Sequence, residues 1–200
     1  MYAVMRFAKL KTMGQVGALG KHNERERETR NADEARRGDN VRLAGSGDWC
    51  ADVQARLDTV PIVRANAVLA LEYVLMASRE FFADGDPART QAWTERSMDW
   101  IRSVYGQQNV VAAVLHRDEI TPHIQAVVVP IDGRGRLTVT AFTGTIAQVR
   151  ELQTSYAHAV EGQVPNRYRW QTRLQSICCH CTVSAGQNRG RLSGFQQLTL

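Results

Sequence analysis

Ten residues constrain this chain more than any others: His116, Arg117, Asp118, Glu119, Ile120, Thr121, Pro122, His123, Ile124 and Gln125. They lie between two apolar runs, 110–115 and 126–130. Each run is rich in Val and about the length of a strand, and the residues between the two His are mostly polar or turn-forming, which predicts a β-hairpin. Side chains alternate along a strand, so His123, Gln125, Val127 and Val129 share one face while Ile124, Ala126 and Val128 share the other. A hairpin brings His116 alongside His123. That face then holds two imidazoles and an amide oxygen, and Asp118 and Glu119 in the turn can add carboxylates. Taken singly, a His at a strand end is usually a half-buried polar residue, and an Asp-Glu pair in a turn is usually solvated. Two His and two acids within ten residues are better read as a divalent-cation site.

Two hundred residues with 44% hydrophobic content suit one globular domain with a tail. No apolar run reaches the ~18 residues of a membrane span. At the N-terminus Arg6, Lys9 and Lys11 follow the apolar start, the wrong order for a signal peptide, so a cytoplasmic protein without a membrane span is expected. The four Cys, Cys50 with Cys178, Cys179 and Cys181, offer neither a disulfide framework nor a C-x-x-C pair. Adjacent residues cannot all turn toward one tetrahedral ion, which argues against a zinc knuckle at Cys178 to Cys181. The net charge of +5 is not spread along the chain: residues 1–161 balance twenty basic against twenty acidic side chains, whereas 162–200 carry five Arg and no acid. A high isoelectric point is therefore weak evidence that the folded body binds nucleic acid.

In chain order, alternation predicts a strand over 2–8, with Ala3, Met5 and Phe7 on one face. Residues 9–20 read as a weak helix or a loop whose Gly14, Gly17 and Gly20 would let backbone approach a ligand. Residues 22–33 are densely charged, which on pattern alone reads as a solvated helix with i,i+4 ion pairs. Asp48 can cap a short helix to about Leu57. Residues 66–76 are Val-rich and read as a central strand, which puts Glu72 where an acid is costly unless it is paired or near a cation. Pro87 opens a helix that Gly106 closes, with Trp93, Ser97, Trp100, Ile101 and Val104 on one stripe; at that spacing the Trp are core rather than base-stacking platforms. After the hairpin come a short strand over 137–142 and a helix over 145–161, with Ile146, Val149, Leu152, Tyr156 and Val160 toward a sheet. Strands at 2–8, 66–76, 110–116, 123–129 and 137–142 with helices between them give an α+β fold on an antiparallel sheet.

The run H-R-D-E-I-T-P-H-I-Q-A-V-V-V-P resembles the metal-binding motif of plasmid mobilisation relaxases of the Pre/Mob (MobV) family, H-x-D-E-x-T-P-H-x-H, with Gln125 where the pattern ends in His. His22, Asn23 and Arg25, followed by Asn31 and Asp33, resemble the family's first motif, H-N-x-R with N-x-D. The resemblance implies that His22 is the nucleophile and that Arg25 and Asn31 contact DNA. It extends a DNA contact to Asn40, at the family's N-Y pair, though not to Val41, which replaces the Tyr. It also implies a five-stranded palm with helices packed on one face and the metal on the open face. Mn2+ or Mg2+ would be held by His116, His123 and Gln125, with Asp118 or Glu72 as a further ligand or outer support and Glu119 orienting or deprotonating His22. The implied activity is nicking of one DNA strand at a plasmid origin of transfer through a covalent 5′-phosphate-His adduct, on single-stranded or supercoiled plasmid DNA. Gln125 leaves a second reading open, a DNA-binding relaxase-like protein without nicking activity. A zinc hydrolase is a third, disfavoured because an amide oxygen suits Mn2+ or Mg2+ better than Zn2+. The resemblance ends near Glu161, whereas the family continues into a helical dimerisation region. A relaxase domain over 1–161, truncation or a frame shift after it, a poorly ordered basic tail over 162–200 and a homodimer through the missing region are therefore expected.

Overall fold

The structure, a computed structural model, describes residues 1–161, so the expected tail over 162–200 lies outside the described residues. Five strands, β1 (Ala3–Leu10), β2 (Val41–Ala44), β3 (Ala70–Ala77), β4 (Val110–His116) and β5 (His123–Val128), form one antiparallel sheet in the order β1-β3-β5-β4-β2. Alternation sends Met5, Tyr73, Leu75, Leu115, Ile124 and Ala126 to one face, where they form the main core. Two helices cover it. The first, Pro87–Tyr105, starts where the Asp86 carboxylate accepts the Ala88 N–H and Pro87 supplies a ready-made φ, and it ends at Gly106 with φ 88°. It buries Trp93, Ser97, Trp100 and Ile101 as their spacing predicts, and the Tyr73 and Tyr105 hydroxyls bond to each other beneath it. The second, Ile146–Glu161, buries Tyr156, Ala157 and Val160, while Ile146 is 73% exposed. Its Gln153 accepts the Met5 N–H and donates to the Ala3 carbonyl, both at 3.3 Å, satisfying the outer edge of β1.

The opposite face is not bare. Helix α1 (Met13–Asn23) and helix α2 (Trp49–Leu57) pack Val16, Leu19, Trp49, Val53 and Leu57 over Ala70, Ala112, Val114, Val127 and Val129. Helices thus lie behind one face, as expected, and also over part of the other, which continues past this second cluster to His116, His123 and Gln125. Numbering in chain order makes the long helix Pro87–Tyr105 α3, a single turn at Thr140–Thr143 α4, and the helix Ile146–Glu161 α5. Among the described residues no helix is long and apolar enough to cross a membrane.

The structure decides or corrects several expectations. Residues 137–142 do not join the sheet: Leu137 makes a lone bridge to Ile131 and the chain then turns into α4. The fifth strand is instead Val41–Ala44, paired to the outer edge of β4 with a bulge between Arg42 and Ala44. A strand so short and half exposed has no readable period; the neighbouring edge recruits it. Residues 9–20 contain a true helix from Met13, started by a capping box in which Thr12 and Gln15 satisfy each other's backbone N–H groups. Its glycines serve packing rather than a ligand: a Cβ at Gly20 would lie 3.0 Å from Trp49 Cβ and one at Gly17 3.2 Å from Cys50 Sγ. The charged stretch after His22 is not a helix either, since α1 ends at Asn23.

Gly20→Val should therefore destabilise the α1–α2 contact by overpacking, lowering the urea-unfolding free energy by about 1–3 kcal/mol although it removes a helix glycine. An unchanged midpoint would show that the two helices can separate freely.

Candidate metal and nucleophile site

Antiparallel pairing of β4 and β5 sets His116 directly opposite His123, and their rings lie 5.1 Å apart, tilted by 39°, on one face of the sheet. Both are buried, at 0% and 6% exposure. Their hydrogen bonds assign each tautomer. Asn23 Nδ2 donates to the Leu19 carbonyl at 3.1 Å, so Asn23 Oδ1 is the atom 2.9 Å from His116 Nε2, and that nitrogen must carry the proton. His123 Nδ1 lies 3.1 Å from the Thr121 carbonyl and must likewise be N–H. The lone pairs are thereby placed on His116 Nδ1, which has no hydrogen-bond partner among the described residues, and on His123 Nε2, 4.0 Å from Glu119 Oε1. One nitrogen locked as a donor and the other left bare is the arrangement that imidazole ligands adopt around a cation.

The turn between the two His is held from outside by Arg25. Its guanidinium donates from Nε and Nη2 to both oxygens of Asp118, each at 2.7 Å, and from Nη2 to Glu119 Oε1 at 2.8 Å. Arg25 is 8% exposed and adopts φ 56°, the one positive φ at a non-Gly position among the described residues. That conformation is uncommon for a side-chain-bearing residue and follows from turning the chain straight out of α1 into the carboxylates. Asn40 completes the clamp, donating to Asp118 Oδ2 at 2.8 Å and accepting the Arg117 and Asp118 N–H groups at 2.8 and 3.2 Å. Burial alone would raise the Asp118 pKa, but hydrogen bonds from Arg25 and Asn40 outweigh it and bring it down to about 2. His116 goes to about 3 because burial and the adjacent Arg25 disfavour the imidazolium.

His22 occupies the last turn of α1, half buried, beside Asn23 and Arg25. Each of the three residues after it is tethered at long range. Asn23 reaches His116, Glu24 accepts from Trp49 Nε1 at 2.9 Å and Arg42 at 2.6 Å, and Arg25 holds Asp118. The charged motif is thus a set of tertiary anchors, not a solvated helix face with i,i+4 pairs. Burial and the charge of Arg25 lower the His22 pKa; Arg27 and His123 act in the same direction and Glu119 opposes them. His22 therefore sits within electrostatic reach of His123 and Glu119, although about a hundred residues separate it from either in sequence.

The other candidates divide. Gln125 lies on the site face two residues past His123, and its buried Oε1 has no partner among the described residues. Glu72 is not brought in: its register partner is Val127, four residues along β5 from His123, about 13 Å at strand rise, and burial raises its pKa. Arg25 and Asn40, expected to contact DNA, are occupied in building the turn. Asn31 is exposed. The exposed Arg36 and Arg79 and the half-buried Arg117 lie instead around a cleft of about 420 Å³ that Glu119, Phe82, Thr121 and Pro122 also line. Asn23 and Met76, which pairs directly with His123, belong to the site and were missed. Asn23 stood in the quoted motif without a role. Met76 looked like an ordinary strand residue, and only strand register places it there. Among the described residues no three His, Cys, Asp or Glu side chains already surround a common point, since Arg25 draws Glu119 aside.

A five-stranded antiparallel sheet with paired His across a hairpin and a third His delivered by the helix after β1 defines a recognisable class. The profile of the plasmid recombination enzyme family (Mob_Pre) matches residues 1–170, and the chain belongs to this family. A 65 kDa protein of Zymomonas mobilis is 36% identical over 166 residues, covering 80% of this chain and 28% of that protein. A plasmid recombination enzyme of Lactiplantibacillus plantarum is 32% identical over 146 residues, covering 68% and 40%. The chain thus spans well under half the length of these relatives. The MobM relaxase domain, solved bound to plasmid oriT DNA with Mn, superposes with a TM-score of 0.76 at 25% identity, covering 92% of this chain and 96% of that one. A second Mn-bound structure of the same domain at pH 5.5 gives 0.73 at 25% identity, covering 81% and 86%.

Arg25→Met should cost about 3–5 kcal/mol in the metal-free protein, because it strands the buried Asp118 carboxylate. Acid should act on the unaltered protein with one sign. His116 and Asp118 both have folded pKa values below their unfolded ones, so their stabilisation is present above about 6.5 and about 3.8 respectively, and is lost as pH falls toward about 3 and about 2. Melting temperatures measured from pH 8 downward should decline from about pH 6.5 onward; a flat profile between pH 6.5 and 4 would contradict the buried neutral His116.

Proposed function

We propose that this chain is the nicking domain of a metal-dependent, sequence-specific DNA relaxase that cuts one strand at a plasmid origin of transfer and retains the 5′ end on His22. The observation that carries the reading is the delivery of His22, by three tethered neighbours, to a pair of buried imidazoles whose bare nitrogens are fixed by hydrogen bonds. The MobM relaxase domain, with its oriT DNA and Mn, supports the same reading through fold and sequence likeness.

The donor set suits a divalent cation, with His116 Nδ1 and His123 Nε2 as ligands. Gln125, the expected third ligand, sits on the same face two residues past His123, and Glu119, ion-paired to Arg25, lies 4.0 Å from His123 Nε2. When bound, Mn2+ or Mg2+ would neutralise charge on the scissile phosphate. Neutral His22 attacks phosphorus: an N–P bond forms, the bond from phosphorus to the 3′ oxygen breaks, and that oxygen leaves to become a 3′-hydroxyl. The nearby carboxylate of Glu119 takes the imidazole N–H proton lost on attack and passes it through solvent to the departing 3′ oxygen, so the proton that leaves His22 is balanced by the one that completes the 3′-hydroxyl. One phosphate ester is exchanged for a phosphoramidate, so religation needs no nucleotide hydrolysis. Arg36, Arg79 and Arg117 around the adjacent cleft supply the phosphate contacts along the strand, the role first expected of Arg25 and Asn40. A homodimer through sequence beyond this chain belongs to the same proposal.

With supercoiled plasmid carrying the cognate origin and Mn2+, the protein should nick one strand and form a covalent adduct with labelled origin oligonucleotide. His22→Ala should abolish the adduct while leaving Mn2+ affinity within a few-fold. Because burial and Arg25 lower the His22 pKa, the acid limb of adduct formation should fall below pH ~6.5, neutral His22 persisting to lower pH than a free imidazole. An adduct that survives His22→Ala would assign the nucleophile elsewhere. DNA binding without any adduct at all Mn2+ concentrations would establish the non-nicking reading.

A further inference from the structure

The strand that carries His116 and the helix that carries His22 meet through one side chain, Asn23. Its two amide ends are engaged in a fixed sense: Nδ2 donates back to the Leu19 carbonyl at 3.1 Å, inside α1, and Oδ1 accepts from His116 Nε2 at 2.9 Å. Asn23 is 2% exposed and His116 fully buried, so water does not compete for either bond. A carbonyl can only accept, so reversing the amide would set two oxygens face to face; the orientation is determined by chemistry. Within the same pocket His116 has a rival acceptor. Asp118 Oδ1 lies 3.8 Å from His116 Nδ1, too far for a hydrogen bond but close enough to take a proton there after a small ring movement.

We propose that Asn23 is a positioning residue that holds His116 in the Nε2–H tautomer, keeping the Nδ1 lone pair available to a divalent cation and denying that proton site to Asp118. The same bond docks the last turn of α1 on β4, so the ring that would bind the cation and the His22 ring that would attack are set by one amide. The inference rests on the proposed cation site for its consequence, but not for the tautomer itself. Without the acceptor, the buried Nε2 would lose its partner and the proton would move to Nδ1, bonded to Asp118. The ligand nitrogen would then be blocked. Outer partners that orient a ligating imidazole typically contribute 10–100-fold to metal affinity, and the loss expected here is of that size.

The test reads the His116 ring directly. Two-bond ¹H–¹⁵N correlation spectra of the metal-free, full-length protein assign each imidazole tautomer, and Mn2+ titration followed by electron paramagnetic resonance gives affinity. The unaltered protein should show His116 as Nε2–H. Asn23→Leu, close in volume but without an acceptor, should shift His116 toward Nδ1–H and weaken Mn2+ binding 10–100-fold. Asn23→Asp keeps an acceptor oxygen toward His116 but loses the donor to the Leu19 carbonyl, so it should lower stability while retaining Nε2–H and binding Mn2+ within a few-fold of the unaltered chain. Should Asn23→Leu not fold, the unaltered protein and Asn23→Asp still decide, because an Nδ1–H His116 in either overturns the proposal. An unchanged tautomer together with unchanged affinity in Asn23→Leu also overturns it. Absence of Mn2+ binding by the unaltered protein, with the Nε2–H tautomer lost only in Asn23→Leu, would instead overturn the cation reading and leave the role of Asn23 standing.

Discussion

The site depends on one ion-pair cluster: the Arg25 guanidinium on the carboxylates of Asp118 and Glu119. A turn bearing two adjacent acids beside two imidazoles is costly to bury, because each charge loses its hydration. Arg25 offsets that cost with a planar fork matched to a carboxylate, and Asn40 satisfies what remains of Asp118 and of the turn backbone. The pairing is also what joins the two halves of the machinery, since Arg25 follows His22 by three residues and Asp118 follows His116 by two. Closing the clamp therefore brings His22 and the imidazole pair together.

Around this clamp the fold has a simple division. One sheet face is predominantly apolar and lies under α3 and α5, giving a rigid platform. The other face is divided lengthwise, with an apolar half under α1 and α2 and a polar half carrying His116, His123 and Gln125. Helix α1 must run closely against α2 for its last turn to reach β4, and Gly17 and Gly20 permit that approach. The glycines thus affect the chemistry indirectly, by setting where the helix ends.

Much of this was legible in the sequence because the relevant signals are local. The hairpin was marked by two Val-rich runs around a turn, and strand alternation placed His116, His123 and Gln125 on one face; the limits of α3 followed from Pro87 and Gly106. What could not be read was non-local. Strand β2 is defined by the edge it joins rather than by its four residues, and 137–142 has strand-like composition with no edge to join. Charge pattern could not show that Glu24 and Arg25 pair with Arg42, Trp49 and Asp118, partners 18 to 93 residues away. For the same reason Arg25 and Asn40 were expected on DNA, and Asn23, quoted in the motif beside His22, was assigned no role. Glu72 was drawn toward the cation by its cost in a central strand; register, which a lone strand cannot reveal, places it four residues from His123.

The central claim is that His22, His116 and His123 form one site at which a divalent ion binds. Paramagnetic broadening tests it most directly, because Mn2+ attenuates imidazole resonances steeply with distance. Substoichiometric Mn2+ added to the full-length protein should broaden the His116 and His123 ring signals first and that of His22 with them, while His158, exposed on α5 beside Glu161, stays sharp. Broadening of His116 and His123 that leaves His22 untouched would separate His22 from the ion, and attenuation at His158 alone would place the metal elsewhere on the protein.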